Sequence, residues 1–566
     1  MLELEKIFSD GMVLQREMPV VIWGTCTDTE EIEVSLGGER CKAAIQDGSF
    51  RAVLGPREAQ TGLELTITAR NGSGRTEVRL IRDVAVGEVW VASGQSNMEY
   101  PVRYTAEEDY LKGLGTDTQL RFFDVPKISY EGQEKDRTYD TVGFWDTFRA
   151  DSIGNFSAVA LHFAQYIRNK LEIPVGIIGC NWGATSASSW MEQRYLEEYP
   201  QLHEYLETYQ KTVRDLNLDW YREAYLEKQA WGLSPVMQAL DDRINRGQIG
   251  MDEVMELYQK MAPRKRELFE LPVGPMDPRR PCVLYETMVK RIMGYRVRGV
   301  LWYQGEADEV LPKHYALLFS QLVKCWRCGW QQELPFLCVQ LAPFGSWLGN
   351  GGSAFPELRR QQQRAEELLE KVWTASIMDA GMETDIHPKA KRVVGERLAL
   401  LALGKVYQKE ILCEAPLPAD AVWEDTKITI FMAHAGDGLH RGTPGIEPAE
   451  PRLAEPVTAE PRSTEPEAAE PGSAEPVTAE PRSVEPKSAD PRLRNPDGLI
   501  LTGDGKRLDF ETEIRDCRMI LHARQLDSYR HVQVDYAQQP YVEADIYNSA
   551  GLCAKPFTVV RPWNYR

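Results

Sequence analysis

From Val86 onward, short apolar runs alternate with stretches of helical periodicity, and this alternation leaves the chain few architectures to choose from. Strands separated by helices come to lie side by side in parallel, with helices covering both faces of the sheet. The runs fall at 89–92, 120–125, 174–179, 299–302, 336–340 and 372–378. Helical patterns fall at 156–170, where Phe156, Val159, Ala160, Phe163 and Ile167 share a face, and near 283–295, 312–327, 356–370 and 389–404. On either side the texture differs. Short β-branched runs with turns at Gly37-Gly38 and Asn71-Gly72 fill residues 1–85 and predict a small β-sandwich. Runs at 426–432, 499–502, 519–522, 531–536 and 541–547 predict a second β region. The expected fold class is α/β: a parallel sheet flanked by helices, with accessory β-sandwich-like domains at the N- and C-terminal ends.

A chain of 566 residues is too long for one core. The expected division is a β domain at 1–85, a catalytic α/β domain in two parts at 86–190 and 281–408, and a helical insertion at 191–280 that either roofs a site or decorates the surface. A C-terminal β domain follows at 409–446 and 497–566, interrupted at 447–496 by a Glu/Pro insertion. Within that insertion, 447–492 repeat Ala-Glu-Pro, and regular prolines with few apolar residues predict an extended, disordered segment. Eleven acidic against four basic residues between Glu447 and Asp490 supply −7 of the formal net charge of −19. An acidic chain lacks the basic face that nucleic acid or an anionic membrane requires, so neither is expected as a partner. No apolar stretch approaches the ~18 residues of a membrane span. Met1 to Ile7 lacks a basic region followed by an apolar run, and the ten cysteines lack framework spacing, so a reduced, cytoplasmic home is expected. The tight pair Cys325-Trp-Arg-Cys328 has no companion pair and reads as a helix end with two incidental thiols. Fourteen tryptophans suit a sugar ring as well as a core, and core explains most of them. Nothing in the sequence sets the oligomeric state.

Four segments stand where a parallel sheet brings chemistry together, just past the carboxyl ends of strands. In the first, the run to Ala92 stops at Gly94-Gln-Ser96-Asn-Met, a turn that presents a hydroxyl beside the first amides of a helix or, equally, an N-cap serine. The second is Asn181-Trp182-Gly183, whose glycine lets an amide approach a reacting oxygen. The third, Trp302-Tyr-Gln304-Gly-Glu306, offers an amide and a carboxylate. The fourth, Asp379 to Pro388, carries His387, one of eight histidines and the residue type that titrates near neutrality as a serine's base must. Asp385, two residues earlier, either accepts from the imidazole Nδ1 or shapes the turn, and Glu306 is its rival as the orienter. Asp83, Asp124 and Asp379 read as caps and turns. No His-Glu-x-x-His, phosphate loop or dinucleotide fingerprint is present, so no metal or cofactor is expected.

Taken together and in this order, these segments resemble the sialate O-acetylesterase family of the SGNH-hydrolase superfamily. Lys6 to Arg16, Gly87 to Met98, Gly154 to Ala160, Pro174 to Trp190, Gly299 to Glu306, Asp385 to Pro388 and Tyr547 to Phe557 carry the likeness, which spans the chain outside 447–492. The resemblance implies an SGNH-type sheet and an esterase that removes acetyl groups from O-acetylated sialic acid, or from another acetylated sugar such as a xylo-oligosaccharide. A non-catalytic glycan-binding protein on the same scaffold is the alternative from another class. It implies Ser96 as nucleophile, His387 as base, and an oxyanion hole from the Ser96 and Gly183 amides with the Gln304 side chain. Asn97 and Trp182 are the adjoining substrate-binding candidates. Arg359, with Arg103 and Arg360, is a candidate partner for a sialate carboxylate. Two departures stand out: Ala184 replaces a second glycine, and Thr384 fills the position three before the histidine where the superfamily usually has aspartate. A Ser–His dyad, an Asp385 triad and a Glu306 triad all remain open.

Overall fold

The strand Thr76–Gly94 is 19 residues long and changes character along its length. Its first part pairs antiparallel with Gln60–Arg70 and is largely exposed. From Val84 to Gly94 every residue is buried, the continuous apolar pattern of a strand covered on both faces. There it pairs in parallel with Val175–Asn181 on one side and Gly299–Tyr303 on the other. The boundary drawn between residues 85 and 86 thus falls inside one strand. The computed structural model describes residues 2–135, 142–442 and 495–562.

The strand order across the α/β part is Trp145–Phe148, Asp117–Asp124, Val175–Asn181, Thr76–Gly94, Gly299–Tyr303, Phe336–Val339 and Val372–Ala375. Only the first of these runs antiparallel to its neighbour. With the N-terminal strands joined to it the sheet is mixed rather than wholly parallel. Helices Ala158–Leu171 and Lys391–Leu401 cross closely at Gly395, where a Cβ would lie 2.6 Å from both the Val159 carbonyl oxygen and His162 Cβ. Ser157 caps the first of these helices by accepting from the Ala160 amide, and its hydroxyl donates to the Met98 carbonyl at 2.5 Å. One serine thereby anchors a covering helix to the turn that carries Ser96.

Helices from Gln193–Glu197 to Pro263–Phe269 fill the expected insertion and have a small core of their own around Tyr221, Tyr225, Leu268 and Met276. C-terminal to the α/β part, two four-stranded antiparallel sheets with alternating burial enclose a second core that includes Ile428, Ile430, Leu501, Leu521 and Val534. Asp379, read from sequence as a cap or turn, instead forms a buried two-bonded ion pair with Arg397 at 2.6 and 2.7 Å. The 447–492 repeat lies outside the described residues. Cys325 and Cys328 sit on the helix Tyr315–Trp330, one buried and one exposed, and all ten cysteines are free thiols. Among the described residues no helix is long and apolar enough to cross a membrane.

Candidate active site

Gly94 ends the central strand at φ +134°, and a Cβ there would sit 2.1 Å from the Tyr303 carbonyl oxygen. Both the backbone conformation and the closeness of the next strand demand glycine. The chain then turns through Gln95, whose carbonyl accepts from the Met98 and Glu99 amides, into the single helical turn Ser96–Glu99. Among the described residues the Ser96 amide makes no bond within the chain. The serine is thus lifted to the carboxyl edge of the sheet, half-buried, with a donor beside it.

His387 arrives from the loop between Val372–Ala375 and Lys391–Leu401, and its Nε2 lies 2.9 Å from Ser96 Oγ. Two aromatic rings hold the imidazole. Tyr100 stacks on it at 5.4 Å between centroids, and Trp347 meets it edge-on at 5.1 Å. Burial, reinforced by Lys391 and Lys389, pushes its pKa down to about 3, so near neutrality the ring is the neutral acceptor a base must be. The unfolded chain binds this proton near pH 6.5 and the native chain only near 3. Stability therefore falls as pH drops through that window, a trend shared by buried His162, whose pKa is also pushed down to about 3. The acid limb of the kcat/KM profile should accordingly lie well below pH 6.5, and an apparent pKa at or above 6.5 would contradict this environment.

Neither carboxylate proposed to orient the ring makes that bond. Asp385 Oδ1 accepts from the His387 backbone amide at 2.8 Å and stands 3.7 Å from Nδ1, while Oδ2 pairs with Lys389 at 2.9 Å. It closes the turn and places negative charge near Nδ1 without bonding it. Glu306 is buried and accepts from Asn97 Nδ2 at 2.5 Å. Asn97 also donates to the Ile386 carbonyl at 3.0 Å and accepts from Lys391 Nζ at 2.5 Å. With its amide committed three ways and 1 % of its surface exposed, Asn97 is a strut under the histidine loop rather than a substrate contact.

The oxyanion donors are also rearranged. Gly183 lies against Ser96, since a Cβ on it would be 3.4 Å from Ser96 Cβ, but its amide donates to Glu99 Oε2 at 2.6 Å. Gln304 is fully buried, and its Nε2 faces Asp308 Oδ2 at 2.6 Å, the Thr185 carbonyl at 3.1 Å and Gln95 Oε1 at 3.2 Å. No hydrogen remains for a substrate oxygen, so Gln304 frames the nucleophile turn instead of lining the hole. Asp308, which the sequence reading missed, is the hub of this frame and also accepts from Ser186, Tyr205 and the Ala187 amide. Its signal was only a second acid in Glu306-Ala-Asp308. Arg359 is likewise fully buried, spent on the Ala342 and Gln539 carbonyls between domains, and cannot meet a substrate.

Trp182 remains at the rim, half-buried, with Lys127 over its ring at 5.7 Å. Lys127 also pairs with Glu99. Glu99, Lys127, Arg103 and Asn181 line a cavity of about 410 Å³ beside the serine turn. From the other side the helical insertion reaches the site through Tyr205 on Asp308 and through Asn245, whose carbonyl accepts from Tyr100 Oη at 2.8 Å and Lys389 Nζ at 2.7 Å. Among the described residues no group of three or more His, Cys, Asp or Glu side chains is placed to hold a metal.

Residues 277–403, which include Gln304 and His387, match the family model described as carbohydrate esterase, sialic acid-specific acetylesterase. Sialate O-acetylesterase of Rattus norvegicus is 27 % identical over 444 residues, covering 72 % of this chain and 74 % of that protein. That of Mus musculus is 26 % identical over 443 residues, with the same coverage of 72 % and 74 %. The crystal structure of a carbohydrate acetylesterase from Xanthomonas citri superposes with a TM-score of 0.67 over 99 % of both chains at 24 % identity, a likeness of fold. Through the matched segment and these relatives, the chain is similar to the sialic acid-specific acetylesterases among the carbohydrate esterases.

Proposed function

We propose that this protein is a serine carbohydrate O-acetylesterase of SGNH type acting on O-acetylated sialic acid through an acetyl-serine intermediate. The observation that carries the reading is the 2.9 Å contact of a neutral, buried His387 Nε2 with a serine hydroxyl at the sheet edge. His387 takes the proton as Ser96 Oγ attacks the acetyl carbonyl, and the new oxyanion is held by the Ser96 and Gly183 amides. Collapse expels the sugar oxygen with the proton from the imidazolium, and water then repeats the sequence on the acetyl ester. Gly183 can serve only after Glu99 yields its amide, so substrate entry includes a shift of that carboxylate toward Lys127, with which it is already paired. Among the described residues no carboxylate bonds Nδ1, which favours a Ser–His dyad with Asp385 acting through charge and loop shape.

A sialate carboxylate would find its cation at Lys127 or Arg103 in the cavity beside the turn. Acetate release from O-acetylated sialic acid and from acetylated xylo-oligosaccharide, measured side by side, tests the reading. Release from the sialic acid, with an acetyl group trapped on Ser96 by rapid quenching, is the expected result. Release from the xylo-oligosaccharide alone would keep the chemistry and replace the substrate. Release from neither by folded protein would leave a glycan-binding scaffold without esterase activity.

A further inference from the structure

A cleft of about 1330 Å³ opens between the N-terminal sheet and the α/β part, remote from Ser96. Met293, Gly294 and Arg296, on its floor, lead into the strand Gly299–Tyr303, and Trp330 and Gln331 precede Phe336–Val339. The cleft therefore lies at the amino ends of the parallel strands, and the serine at their carboxyl ends. Its other wall is the outer face of the N-terminal sheet, where Trp23 and Arg51 are directly opposite each other on the neighbouring strands Val20–Cys26 and Ser49–Leu54.

Two cations of this cleft are neutralised. Arg79 pairs with Glu77 at 2.9 Å and Arg291 with Glu134 at 2.9 Å. Glu5, which also lines the cleft, faces Arg291. Arg51 and Arg296 are different. Among the described residues neither forms an ion pair, and the nearby Glu3 and Asp47 do not reach them. Arg296 gives one bond, to the Trp330 carbonyl at 3.3 Å, while its Nε is buried without any partner. Burial, and then the charge of Arg51 itself, hold its pKa below the usual guanidinium value. In a chain of net charge −19, two guanidinium groups left facing each other across a cleft, one with a donor shut away from water, are a cost that an anion would relieve.

We propose that this cleft is a second binding site, taking a carboxylate-bearing sugar whose acid group bridges Arg51 and Arg296 while a ring packs by Trp23. Guanidinium groups bind carboxylates through paired N–H donors, and a half-buried indole beside them offers the apolar face that a sugar ring uses. The choice of a sugar among carboxylates rests on the proposed carbohydrate esterase activity. The site would tether an acidic glycan by a residue other than the one being deacetylated.

Calorimetric titration of the Ser96→Ala protein with tri-galacturonate, its methyl ester and inorganic phosphate tests this. The trimer should bind in the millimolar range or tighter, with the ester and phosphate each about ten-fold weaker. Arg51→Ala, an exposed position that the fold tolerates, should weaken the trimer about ten-fold and leave acetate release from a small acetyl ester unchanged. Absence of trimer binding, binding indifferent to Arg51→Ala, or phosphate binding as well as the trimer would each overturn the proposal. Failure of the esterase reading would show separately, as a wild-type protein that releases no acetate whatever it binds.

Discussion

Ser96→Ala and His387→Ala should each lower kcat/KM for an acetyl ester by about 10⁴-fold or more, and the double variant should fall no further. The two groups act as one unit: the hydroxyl is a poor nucleophile without the base, and the base has no proton to take without the hydroxyl. The 2.9 Å contact gives them that relation in the resting protein. Neither substitution should disturb the fold. Among the described residues Ser96 Oγ contributes only this one bond, and the loop around His387 is held by Asp385, Asn97 and Lys389. Residual activity of the double variant well below that of either single one would mean that the two side chains act independently. Asp385→Asn is the informative companion. A carboxylate bonded to Nδ1 would be worth about 10⁴-fold, as in a full triad. At 3.7 Å its loss should cost far less, and kcat with a small ester reads the difference.

Lys391→Met should destabilise the protein by about 3–5 kcal/mol, the cost typical of breaking a buried charge pair on one side. Lys391 is fully buried, and its ammonium reaches the Glu306 carboxylate only through Asn97, which binds each of them at 2.5 Å. Burial is the main force on both groups, pushing the lysine pKa down to about 7 and raising that of the glutamate. With the lysine gone, the glutamate is left in an apolar surround beside an asparagine that has lost a donor. The double variant Lys391→Met/Glu306→Gln removes both charges and should recover much of the loss, as read from urea unfolding. Equal stability of the single and double variants would show that the two charges are uncoupled. The same unfolding curves, run with and without substrate, report whether the histidine loop that Asn97 supports is loosened as well.

The strand positions were legible because a strand buried on both faces leaves an unbroken apolar run, as Val175–Asn181 and Gly299–Tyr303 do. Ser96 was legible because it stands two residues past such a run, and His387 because it lies in the loop between the run at 372–378 and the next helix. What sequence could not supply was which polar side chains are consumed by their neighbours. Gln304, Asn97 and Arg359 have the right chemistry and stand near the right places, but burial commits each of them to carbonyls and carboxylates brought in from distant parts of the chain. Glu99, Tyr100, Trp347, Lys389 and Lys391 were overlooked for the converse reason. They look like ordinary residues until folding packs two rings against the imidazole, one stacked and one edge-on, and brings two ammonium groups toward it. Nothing in the sequence signals that one strand, Thr76–Gly94, runs across the division drawn at residue 85, because its pairing partners change while the strand continues.

That passage has a mechanical consequence. Because Thr76–Gly94 runs without a break from its pairing with Gln60–Arg70 to the serine turn, it works as a tie rod, and its two ends cannot be displaced independently. A protein cut to begin at residue 86 would keep Ser96 and His387 yet lose the anchored half of the rod and the strand Val13–Gln15 that flanks it at Ala85 to Gly87. The N-terminal β region is therefore not a module that can be clipped off and fused elsewhere; it is the mounting on which the Ser96 turn is aligned.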